Sequence, residues 1–128
     1  MGNKMAIPGS NDIYAVFPAG ADLTGKEGYG IKFNASSQVV LCDTLGERPN
    51  GVLVAGDVAG ADVTIQIKGQ TKMVASASGI KIGNSLSVSA AAKAKAAATG
   101  EFIFAQALEN SSSDGHRILV DIINAGKA

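Results

Sequence analysis

The chain has 128 residues, eleven basic and eleven acidic, so its formal net charge is zero. That length makes one domain with a modest core, and the charge balance leaves no basic footprint for nucleic acid. Apolar residues make up 46% of the chain but aromatic ones only 5%. A core of Val, Ile, Leu and Ala buries less area per residue than an aromatic-rich one. Such a domain gains stability by binding copies of itself or a partner, which points to an assembly component.

No apolar run reaches the length of a membrane span, and no charged-then-apolar leader opens the chain. Met1-Gly2-Asn3-Lys4-Met5-Ala6 has alanine where a myristoylation start wants Ser or Thr. A lone Cys42 cannot form an internal disulfide, which suits folding in a reducing cytoplasm. The expectation is a soluble, cytoplasmically made protein with no membrane and no nucleic-acid partner.

In chain order, residues 1–22 stand apart. Pro8-Gly9, Asn11-Asp12 and Pro18-Ala19-Gly20 interrupt regular structure, while Ile7, Ile13, Tyr14, Val16 and Phe17 are apolar. Two readings stand: a disordered leader before an ordinary first strand, or an arm that orders on a partner through aromatic anchors. On the arm reading, Ile7, Pro8, Ile13, Tyr14 and Phe17 make the contact, by adding an extended segment to a partner strand. The body then spans 23–128.

Ile31-Lys32-Phe33 and Val39-Val40-Leu41-Cys42 read as strands, and Glu47 to Gly51 as a turn, since Asn-Gly tolerates positive φ. Val52-Leu53-Val54 follows. Val63, Ile65 and Ile67 then alternate with Thr64, Gln66 and Lys68 until Gly69, which is expected to end that strand. Residues 69–78 read as a further strand with Met73, Ala75 and Ala77 on one face. Leu86-Ser87-Val88 is another strand.

The alanine-rich stretch from Ser89 to Thr99 has helical propensity. Its lysines are spaced by two, however, and it lacks large apolar anchors at helical spacing. A strand and hairpin is the reading, with a short helix as the alternative. Phe102 and Phe104 alternate with Glu101 and Ile103, and Ile118 to Ile122 closes the series after a turn at Asp114-Gly115. Alternation throughout means one buried and one wet face, hence an all-β antiparallel domain.

No catalytic set assembles. Gly25, Gly28 and Gly30 reverse the dinucleotide fingerprint and precede no helix, so no helix dipole waits for a phosphate. His116, the single histidine, sits beside a turn, and one histidine with one cysteine cannot make a metal site. Cys42 reads as a small buried hydrophobe; as a nucleophile it has only His116 for a base. Ser111-Ser112-Ser113 lies outside any hydrolase motif. Asp43, Glu47, Asp57 and Asp62 fall in loops without pairing. The Asn34 and Asn110 glycosylation patterns are idle without a secretory route. Thr71-Lys72-Met73 resembles a biotin-carrier hairpin with one methionine missing, which keeps a Lys72-modified carrier as a minor alternative. The inventory implies no cofactor, no metal and no enzyme.

The order of segments resembles the capsid cement (decoration) proteins of tailed bacteriophages. The resemblance runs through Gly51-Val52-Leu53-Val54, Ala61 to Gly69, Ile82 to Val88, Ala105-Gln106-Ala107-Leu108-Glu109 and Gly115 to Ile122, about the last three-fifths of the chain. Ala105 stands where the family commonly has glycine. The resemblance implies a small antiparallel β-barrel or β-tulip-like body with an extended N-terminal arm. It also implies a protein on the outer surface of the virion that binds the expanded head and clamps adjoining major capsid subunits. Such proteins are homo-oligomers, typically trimers. The alternative is a phage fibre or host-surface glycan-binding module, which would want clustered exposed aromatics.

Overall fold

The computed structural model describes residues 12–128. Nine strands follow in order: β1 (Ile13–Pro18), β2 (Gly30–Phe33), β3 (Val39–Leu41), β4 (Gly51–Ala55), β5 (Asp62–Val74), β6 (Ser85–Val88), β7 (Ala94–Ala96), β8 (Phe102–Ala107) and β9 (Arg117–Lys127). They form one antiparallel sheet in the order β3-β2-β4-β5-β9-β8-β6-β7, with β1 added to β5. The all-β antiparallel expectation holds, and the expected β-barrel or β-tulip-like body takes an open form. The sheet curls into an open half-barrel whose edges stay 12 Å apart. Its end strands β3 and β7 are three residues long. Each is spent on a local bridge, Val39 to Ala19 and Ala94 to Ala75, and none on the opposite edge.

β5 organises the molecule. Its residues 62–68 pair with β4 and β1, and its residues 69–74 pair with β9. The expected strand end at Gly69 is instead a bend inside one long strand. Gly69 takes φ +102°, and a Cβ there would overlap the Asp12 carboxylate, which accepts the Gln70 N–H at 3.3 Å. From the other side Gln66, only 2% exposed, donates through Nε2 to the carbonyls of Lys68 (3.0 Å) and Gln70 (2.9 Å). One buried amide thus satisfies two carbonyls that the bend removes from the ladder.

The bend separates two halves with the same plan. In the first, β1 through the start of β5 follow the pairing β1–β5, β5–β4, β4–β2, β2–β3; in the second, the end of β5 through β9 repeats it as β5–β9, β9–β8, β8–β6, β6–β7. Register repeats too: Phe33↔Val39 becomes Val88↔Ala94, and Leu53↔Ile65 becomes Ala107↔Val120. Turn geometry follows. Left-handed residues recur as Gly25/Gly79, Gly28/Gly83, Ser37/Ala92, Gly46/Gly100, Gly60/Gly115 and Gly69/Asn124, each pair 54 or 55 positions apart. The hairpin tips repeat a side-chain device: Asn34 Oδ1 accepts the N–H groups of Ser36 and Gln38, and Ser89 Oγ those of Ala91 and Lys93. The alanine-rich stretch is therefore a hairpin, as its spacing requires, and not a helix.

Each half has its own core. Ala19, Leu23, Ile31, Val39, Leu53, Val63 and Ile65 fill the first. Met73, Leu86, Val88, Phe104, Ile118 and Val120 lead the second, which also takes in Cys42 and Val52 from the first half. Replacing Gly69 by Ala forces a side chain into the left-handed region and against Asp12. Urea denaturation should show a loss of about 1–3 kcal/mol, whereas Gly79→Ala, whose Cβ would meet nothing within 4 Å, should lose less.

Candidate functional site

Of the five residues read as an apolar arm, Ile7 and Pro8 lie outside the described residues. Ile13, Tyr14 and Phe17 belong to β1, hydrogen-bonded along β5. The segment expected as an arm through residue 22 is thus part of the sheet from Ile13 on. A register shift between Ile13 and Tyr14 turns both side chains outward, leaving them 49% and 52% exposed. Val16 alternates back to the same face and is 60% exposed. Sequence reading counted Val16 among the apolar residues but left it out of the contact set, although its two-residue spacing from Tyr14 is the signal that places them together. Phe17 points the other way and meets Phe33 edge-on, with ring centroids 4.7 Å apart.

Tyr14 also borders a shallow groove of about 400 Å³ where the halves meet, lined with Leu53, Val54, Gln70, Lys72 and Arg117 among others. Two of its charged groups are engaged within the chain. The Lys72 ammonium lies 2.6 Å from Glu109, and the Glu27 carboxylate accepts the Gly56 N–H at 2.9 Å. Thr71-Lys72-Met73 lies inside β5, with Met73 buried. A carrier lysine must stand at an open hairpin tip, so the biotin-carrier alternative falls.

No reactive set appears in the other candidates. Cys42 is buried, and burial pushes its thiol up to about 12, so it stays protonated and unreactive. His116 Nδ1 accepts the Ser112 N–H at 3.0 Å, closing its loop. Among the described residues no group of His, Cys, Asp or Glu could hold a metal ion, and no helix is long and apolar enough to cross a membrane.

Electrostatics serve the turns. Glu101 binds the Lys95 ammonium and accepts from the Ala98 N–H and the Ser87 hydroxyl, which together hold its carboxyl below the usual range. Glu109 is lowered by Lys72 and the Leu119 N–H, and Asp43 by the Lys32 ammonium at 2.5 Å. Such groups ionise more readily in the folded than in the unfolded chain. Their contribution is complete above the ordinary glutamate value of 4.5 and is lost as pH falls below it. Urea midpoints should therefore drop as pH falls from about 5 to 3. Glu101→Gln should flatten that drop; an unchanged slope would remove Glu101 from the account.

An all-β body with an exposed apolar strand face and no catalytic set is built to bind. The sequence matches the family model described as phage cement protein over residues 12–122, and the chain belongs to that family. It is a capsid decoration protein of the virion's outer surface, structural and not enzymatic, and its partner is the major capsid protein. The matched span begins at β1, so that strand belongs to the family's common body. The fold is similar to the crystal structure of the head fiber gp8.5 N base in bacteriophage phi29. That similarity has TM-score 0.68 at 14% identity, covering 91% of this chain and 98% of that one. No curated protein matches the sequence.

Proposed function

We propose that the protein clamps adjoining capsid subunits on the expanded head, with residues 1–11 and the outer face of β1 making one contact. The supporting observation is the row Ile13, Tyr14 and Val16, exposed side by side on a strand whose family is one of capsid cement. Exposed apolar residues this closely grouped are a binding surface. Ile7 and Pro8 extend it as the arm, and Phe17 anchors the strand from behind. Three copies around a threefold or quasi-threefold position are the proposed assembly, and the zero net charge argues for no part in DNA binding.

The physical role follows from the load. Packaged DNA pushes outward, and the shell resists only through contacts between its subunits. A clamp that binds the closed shell and not its separated parts stabilises it by mass action. Several weak contacts presented together gain effective concentration, so no single one needs to be strong. Selectivity for the expanded head arises if the footprint exists only after expansion.

The likeness in fold to the phi29 head-fiber base favours a second reading, in which this body is the base of a fibre standing on the head. Both readings put the body on the capsid. Co-sedimentation with undecorated heads, expanded and unexpanded, tests them. Saturable binding to expanded heads alone, at a fixed ratio to capsid subunits, is expected. Deleting residues 2–10 should weaken it while thermal stability stays unchanged; the cut stops short of Asp12 because Asp12 braces the bend at Gly69. Undiminished binding by the truncation would remove the arm from the contact.

A further inference from the structure

The internal repeat supplies a template for a second contact. In the second half, Met73 and Val88 form a socket that the first half fills. The Val88 and Ala92 carbonyls accept the N–H groups of Gly46 (2.9 Å) and Gly30 (2.8 Å), and the Val74 N–H donates to the Gly28 carbonyl at 2.9 Å. The approach is backbone to backbone. A Cβ on Gly30 would lie 3.1 Å from Val88, and one on Gly28 3.1 Å from Val74. Apolar side chains of Tyr29, Cys42 and Val52 follow those glycines into the second core.

The first half has the corresponding socket. Phe17 stands where Met73 does, Phe33 where Val88 does, and Ser37 repeats the left-handed geometry of Ala92 (φ +60° and +64°). Met73, Val88 and Ala92 are buried in a core that takes in Cys42 and Val52 of the first half, whereas Phe17 and Phe33, packed on the first core, are only partly buried and Ser37 is exposed. Among the described residues no donor reaches the Ser37 carbonyl.

The occupant is not a second copy stacked head to tail. The face that copy would offer has Asn84, Ala97 and Gln106 where the first half has Tyr29, Cys42 and Val52. Polar side chains there would be driven against two phenyl rings, and end units of a repeat are commonly closed off in this way. The socket wants a different chain with an apolar edge.

We propose that the Phe17–Phe33–Ser37 socket receives a glycine-containing extended edge of the major capsid protein, flanked by apolar side chains. This rests on the decoration role and adds a contact on the rigid body, separate from the outward face of β1. Two separate contacts are what a clamp between subunits requires.

Quantitative binding to expanded heads tests it. Ser37→His places bulk where the Ala92 methyl is enclosed in the second half, and histidine tolerates positive φ better than most residues. It should weaken binding by about tenfold or more with an unchanged melting temperature. The paired change Phe17→Ser with Phe33→Ser, accepted as a test only if its circular dichroism stays native, should weaken it further. Gln106→Arg, on the closed-off face, should bind as the wild type does. Wild-type binding that survives both socket changes overturns the socket and leaves the decoration role standing. Wild-type protein that binds no heads overturns both. A concentration-dependent oligomer that Ser37→His dissolves, with head binding intact, would give the socket to a second copy and overturn the capsid occupant.

Discussion

The bend in β5 at Gly69 is the constraint on which the molecule depends. One strand serves two sheet halves, so its backbone must change direction without leaving polar groups unpaired in the interior. Glycine supplies the φ of +102°, Gln66 collects the two displaced carbonyls, and Asp12 braces the outside through the Gln70 N–H. Without the bend, β5 would run straight and one half would lose its pairing partner. A buried Gln inside an otherwise apolar strand would be a burden elsewhere. Here its two hydrogen bonds satisfy carbonyls on either side of the bend and so hold the turn between the halves.

Around that bend the chain uses one plan twice and then differentiates the copies. Glu101 and Glu47 hold equivalent turns, Glu47 accepting the N–H groups of Asp43 and Thr44 and Glu101 that of Ala98. The hairpin tips agree down to the hydroxyl or amide that caps them. What differs is the face each half presents. The first half offers glycine backbone with Tyr29, Cys42 and Val52 to the second, whereas the second ends in Asn84, Ala97 and Gln106. Divergence of side chains on a shared backbone thus gives the two halves different outer faces.

Much of this was legible in the sequence. Alternation located the strands, and the lysine spacing of two correctly placed a hairpin in the alanine-rich stretch against its helical propensity. Cys42 as a small buried hydrophobe was equally readable, because Val-Val-Leu precedes it. The repeat was not read, since apolar alternation tolerates almost any substitution that keeps the pattern; Ile31 and Leu86 are equivalent without being identical. Its trace survives in glycines whose φ no other residue takes readily, Gly28/Gly83 and Gly60/Gly115 above all. Gly69 was misread because a glycine that ends a strand and one that bends it look alike; the difference is the local Gln66 amide and the Asp12 carboxylate, which reaches Gln70 from 58 positions away. The extent of the arm was misjudged for the same reason. Breakers at Asn11-Asp12 and Pro18 flank a true strand, whose partner lies some fifty residues on.

A decoration protein must hold firmly to a closed shell and poorly to its loose subunits. A two-half body whose proposed contacts lie on separate faces meets that need, because both would engage only when two capsid subunits are correctly spaced. The most direct measurement is cryo-electron microscopy of expanded heads saturated with the protein. The account predicts density on the outer surface over the boundary between capsid subunits, with β1 and the Phe17–Phe33 face against different subunits and the Asn84–Gln106 face in solvent. Density seated within a single subunit, or attached through the Asn84–Gln106 face, would contradict it.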